Sequence, residues 1–125
     1  MISFKNVSLA AAAVSSALFL CLLFLPDLIF FIFGIEGGEV ARLMSRRAAM
    51  LFLGLATISY LGRDAPHSVL RQAVCMGMAA CMAGLAIVGI FEFVRGFAGI
   101  GIFLAVATEI AFATVFARIW MENAR

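Results

Sequence analysis

The sequence predicts an all-α integral membrane fold, a four-helix bundle with a short interfacial helix after the first span. Three observations lead there. The chain has 125 residues, 66% of them hydrophobic, and a mean hydropathy of +1.16. Only 13% are charged, about half of what a soluble domain carries, so too little polar surface exists to cover a water-facing fold. The apolar residues also gather into long runs parted by short polar turns, and a membrane-crossing helix needs about 20 of them. Four such runs fill residues 1–125, which are read as one transmembrane domain with no separate soluble domain.

The first span is expected over about 7–25. Lys5 ahead of an apolar run resembles a signal peptide, but the run from Val7 to Leu25 outlasts the usual core of about 7–15 residues and ends in Leu-Phe-Leu-Pro-Asp, with no small-residue cleavage site. Leu18-Phe19-Leu20-Cys21 likewise lacks the small residue that a lipoprotein site places before its cysteine. The segment is therefore expected to be retained as a helix. Pro26 ends it, because the residue before a proline is pushed out of the helical region. Asp27 then caps a short helix over 27–34 that closes at Gly34. Its six apolar residues, Leu28–Phe33, are too few to cross and suit the interface.

Glu36-Gly37-Gly38-Glu39 marks a loop, and the second span is expected over about 42–62, running through Arg46 and Arg47. Gly62-Arg63-Asp64-Ala65-Pro66-His67 is a turn signal. Ser68 follows as an N-cap for the third span, over about 68–93. Arg95-Gly96 separates that span from the fourth, over about 97–120. With the N-terminus inside, the inner segments hold Lys5, Arg63, Arg71, Arg118 and Arg125, against Arg42, Arg46, Arg47 and Arg95 outside. The outer loop also carries Asp27, Glu36 and Glu39. The balance favours both termini in the cytoplasm.

Helices in lipid meet through small residues. Gly77, Ala80 and Gly84 form such a stripe on the third span, with Ala79 and Ala83 beside it. Four-residue steps from Glu109 reach Gly101, Ala105 and Ala113, which turns the acid toward the bundle.

Glu109 is the most informative residue. It stands alone in the apolar stretch Phe97–Ala117, where an acid costs about 2–3 kcal/mol on insertion scales and so calls for a partner, a proton or a purpose. It lies about 18 Å of helix rise from Phe97, near the middle of a hydrocarbon layer of about 30 Å. Arg47, Thr57, Ser59, Tyr60 and Ser15 or Ser16 are its candidate partners. It is read either as a neutral structural glutamate or as a proton- or cation-coupled transport site.

A second constellation is Arg46 and Arg47 with Glu92 and Arg95, all expected near the outer face. Glu92 and Arg95 are spaced to touch. The ordinary reading is an interfacial salt-bridge set with snorkelling arginines. The functional one is an anion site for a lipid phosphate or acidic ligand, since guanidinium pairs match phosphate oxygens.

Other chemistry finds little support. The net charge of +2 is scattered without a basic run, so nucleic acid is not an expected partner. Cys21, Cys75 and Cys81 lie in apolar segments without a CxxC, and read as packing residues. One histidine, His67, in a turn provides neither the paired axial ligands of a b-type haem nor a zinc site. No Ser/His/Asp set, HExxH or GxxxxGK[ST] occurs. Gly96-Phe-Ala-Gly-Ile-Gly101 has no preceding strand and reads as a helix start with packing notches. No cofactor, metal or catalytic residue is expected.

Leu25-Pro26-Asp27-Leu28, then Phe33-Gly34-Ile35, Arg47, Gly54-Leu55 and Gly62-Arg63-Asp64 resemble the pattern of small bacterial four-helix membrane proteins grouped loosely with the DoxX-like families. The resemblance covers roughly the first half of the chain. It implies a bacterial inner-membrane bundle and an accessory role beside a redox or transport system, and it assigns no catalytic residue. The size is also similar to that of small multidrug transporters, but those carry their membrane glutamate in the first helix, where this chain has Ser15 and Ser16.

The leading expectation is a non-enzymatic accessory or assembly subunit whose partners are membrane lipid and either other membrane subunits or further copies of itself. The alternatives are a dimeric proton-coupled solute transporter using Glu109, and a lipid- or quinone-binding protein using Arg46, Arg47, Glu92 and Arg95.

Overall fold

The computed structural model describes residues 2–124 and shows five α-helices, with no strand among those residues: α1 (Phe4–Phe24), α2 (Pro26–Phe33), α3 (Glu39–Gly62), α4 (Val69–Val94) and α5 (Ile102–Asn123). Arg125, counted above among the inner cations, lies outside the described residues. Three helices, α1, α4 and α5, are long and apolar enough to cross a membrane. Glu39, Arg42, Arg46 and Arg47 interrupt the first half of α3, which is not among the three.

Local chemistry sets the ends. Ser3 caps α1, its hydroxyl accepting from the Asn6 N–H at 3.2 Å, and Ser68 caps α4 through the Arg71 N–H at 3.2 Å. Helix α2 begins at Pro26, which needs no N–H donor in a first turn. Asp27 therefore does not act as the expected cap: α2 has no side-chain cap hydrogen bond. Its carboxylate instead accepts from Arg42 Nε at 3.2 Å, and Arg42 also pairs with Glu39 at 2.8 Å, which ties α2 to the start of α3.

The long helices form two tight antiparallel pairs, α1 with α3 and α4 with α5, which meet each other along fewer positions. Small side chains bring the first pair together. Ser8, Ala11, Ala12 and Ser15 of α1 are buried, as are Ser45, Ala49, Ala56 and Ser59 of α3. Ser45 Oγ donates to the Leu22 carbonyl at 3.0 Å. In the second pair Gly89 admits Val106, whose Cγ2 lies only 2.7 Å from where a β-carbon would stand. The expected stripe of Gly77, Ala80 and Gly84 is not the packing face. All three are exposed, and α4 instead buries Cys75, Met78, Met82, Ala86 and Gly89.

The main core lies where α1 and α4 begin and α5 ends. Phe4, Val7, Ala11, Cys75, Met78, Met82, Phe116 and Ile119 pack there, with the Phe112 and Phe116 rings stacked at 6.3 Å. At the other end α5 starts at Ile102, not near residue 97. Gly96 turns the chain at φ +82°, and residues 98–101 then press backbone to backbone on the end of α2. The Gly99 N–H donates to the Phe33 carbonyl at 2.7 Å. A β-carbon on Gly101 would stand 1.7 Å from the Ile32 carbonyl oxygen. This glycine clasp ties the second helix pair to α2.

Candidate functional site

Between the core and the clasp, the four long helices enclose a cavity of about 100 Å³. Its walls follow helical spacing. Helix α5 contributes Ala105, Thr108, Glu109 and Phe112, and α1 contributes Ala11, Val14, Ser15 and Leu18. Met78, Met82 and Leu85 of α4 and Phe52 of α3 complete it. Glu109 thus faces the junction of the two helix pairs. The lining is otherwise apolar except for the Ser15 and Thr108 hydroxyls. Thr108 donates to the Leu104 carbonyl at 2.9 Å, which leaves its oxygen free to accept. Among the described residues the Glu109 carboxylate has no ion-pair partner. The space suits a few waters or a solute of a few heavy atoms, because a water occupies about 30 Å³ in the liquid.

Of the candidate partners, Ser15 alone lines this cavity. Arg47 lies in an outer groove with Met44, Ala48, Met50 and Leu51, all on α3. That face is opposite the inner stripe of Ser45, Ala49, Phe52, Ala56 and Ser59, so Arg47 is turned away from Glu109. Thr57 is exposed and donates to Leu53 O at 2.8 Å. Ser59 is buried and donates toward Met78 Sδ at 4.0 Å. Tyr60 is exposed beneath the Arg63 guanidinium, and Ser16 is exposed. Thr108, next to Glu109 in sequence, is the polar lining residue that sequence reasoning passed over.

The second constellation does not assemble. Glu92 and Arg95 pair with each other, and the guanidinium lies 5.2 Å from the Phe97 ring centre. Arg46 and Arg47 are exposed and form no ion pair among the described residues.

The opposite end of the molecule carries a polar set not singled out in the sequence. Lys5 Nζ meets Asp64 at 2.8 Å, and Arg63 Nε meets the same carboxylate at 3.4 Å. The hydrogen bond from Lys5, reinforced by the charges of Lys5 and Arg63, holds the Asp64 carboxyl below the usual carboxylate range. Arg71 stacks its guanidinium 4.3 Å from the Phe4 ring centre. No group of three or more possible metal ligands occurs among the described residues.

Compared with known proteins, the chain matches no family model, no curated protein and no solved structure.

Proposed function

We propose that this chain is a non-enzymatic, four-span inner-membrane protein with both termini cytoplasmic, in which Glu109 binds a proton or small cation on a solute pathway. One observation carries the reading: a carboxylate with no ion partner among the described residues faces a small cavity where two helix pairs meet. A membrane-buried acid on an internal cavity marks an ion or substrate path. The sparse packing between the pairs supports relative motion, since tight helix interfaces move as units. Reading α3 as the fourth crossing is supported by its level. Ser45 bonds Leu22 near the end of α1, so Arg46 and Arg47 lie close enough to the interface to snorkel.

The test is flux in dye-loaded proteoliposomes, screened with small cations and amines under a proton gradient. Wild-type protein should couple proton movement to one of them, and Glu109→Gln should abolish coupling without loss of folded protein. Wild-type vesicles no faster than protein-free ones, or unchanged coupling in the variant, would refute the role.

A second reading, self-association as an accessory subunit, is favoured by the outward stripe of Gly77, Ala80 and Gly84. No neighbour stands within 4 Å of a β-carbon placed at Gly77 or Gly84, and such stripes mediate close helix contacts in lipid. Replacing both glycines with leucine should then convert a detergent-solubilised oligomer to monomer. Unchanged mass by light scattering would eliminate this reading.

A further inference from the structure

Independently of the Glu109 reading, we propose that the cleft at the Phe4/Arg71 end binds a phosphate-bearing anion, either a phospholipid headgroup or free phosphate, on the Arg71 guanidinium. The cleft has a volume of about 410 Å³ and lies among the start of α1, the turn after α3, the start of α4 and the end of α5. Among the described residues three cations line it, Lys5, Arg63 and Arg71. Asp64 holds two of them, at 2.8 Å from Lys5 and 3.4 Å from Arg63. Arg71 is the remaining one, with no carboxylate partner among the described residues.

Its Nε is buried and has no hydrogen-bond partner among the described residues, an arrangement that costs stability unless an acceptor arrives. The guanidinium carbon lies over the Phe4 ring, 4.3 Å from its centre, and the planar guanidinium fork suits two oxygens of one phosphate. The competing acids are accounted for. Asp64 is occupied by its two cations, and Glu122 is exposed at the rim without an ion pair among the described residues. Phe4, Ala65 and Ile119 give the cleft an apolar wall beside the cations, the pairing that a headgroup joined to acyl chains presents.

The test uses the full chain in neutral detergent. Native mass spectrometry follows added phosphatidylglycerol against phosphatidylcholine, and Trp120 fluorescence follows a titration with inorganic phosphate. Trp120, the only tryptophan, is the next residue in sequence after Ile119 of the cleft lining. Arg71→Gln should weaken binding about tenfold, as the loss of a charge-assisted hydrogen bond implies. Glu122→Gln, at an exposed position that leaves the fold intact, should tighten binding about threefold by removing a repelling charge. Retention of phosphatidylglycerol without a phosphate response identifies a lipid headgroup, whereas saturable binding of both identifies a general phosphate site. Wild-type protein that binds neither, or affinities unchanged in Arg71→Gln, overturns the proposal. Should Arg71→Gln fail to fold, an unchanged affinity in Glu122→Gln overturns it equally.

Discussion

Replacing Gly101 with alanine tests the glycine clasp most directly. Its backbone lies at φ −60°, ψ −19°, which alanine adopts without strain, so any loss of stability must come from the added methyl group. That carbon would stand 1.7 Å from the Ile32 carbonyl oxygen and 2.9 Å from its carbon. Both are backbone atoms and cannot rotate away. The turn must therefore lift from α2, breaking the 2.7 Å hydrogen bond from Gly99 to Phe33. A lost hydrogen bond costs about 1 kcal/mol and overpacking about 1–3 kcal/mol, so the expected destabilisation is about 2–4 kcal/mol. Gly54→Ala, inside α3, is the control. Its new methyl meets nothing within 4 Å, and alanine in a helix gains about 0.5–1 kcal/mol over glycine. The assay is unfolding of each variant in mixed micelles titrated with dodecyl sulfate, followed by helix content and by reaction of the buried Cys75 thiol. Equal stability of Gly101→Ala and the Gly54→Ala control would show that the clasp does not tie the second helix pair to α2.

Two further outcomes are expected. Asp64 is held below the usual carboxylate range by Lys5 and Arg63, so its link between α1 and the turn after α3 stabilises the fold at pH values above the unfolded carboxylate pKa of about 3.9. That contribution fades as pH falls through the lower folded value. Asp64→Asn should remove this acid-side loss, and parallel pH profiles for variant and wild type would contradict the assignment. Phe116→Ala removes a side chain that is fully buried beside Cys75 and Met78. It should cost about 3 kcal/mol through the cavity it leaves and speed labelling of Cys75. Wild-type labelling rates in that variant would show that this end is not the packed core.

Much of the helical layout was legible in the chain because its signals are local. Pro26 cannot follow an unbroken helix, so α1 ends at Phe24. Ser68 sits just before an apolar run and caps it as expected. The inward turn of Glu109 also followed from position alone, because an isolated acid flanked at four-residue steps by small side chains has one polar-tolerant direction. Asp27 shows the limit. Helix α2 starts one residue earlier, at Pro26, so Asp27 lies inside its first turn and its carboxylate accepts from Arg42, fifteen residues on.

By itself, then, the sequence determined the helical class, the breaks between apolar runs and the face on which the lone glutamate lies. All three depend on covalent geometry and on periodicity within one helix. Only the tertiary structure decided which helices pair. Small-residue stripes occur on α1, α3 and α4, and nothing within a stripe reveals whether another helix lies against it. Ser8–Ala12–Ser15 and Ser45–Ala49–Ala56 are buried on the paired helices α1 and α3, whereas Gly77–Ala80–Gly84 stays outside. The same holds for the polar groups. Arg47 was a reasonable partner for Glu109 by depth, yet rotation about the α3 axis directs it outward. Lys5 and Asp64 are far apart in sequence and meet because the antiparallel pairing of α1 with α3 brings the start of α1 beside the turn after α3. Depth along a helix is read from residue count, but azimuth between helices is set by packing.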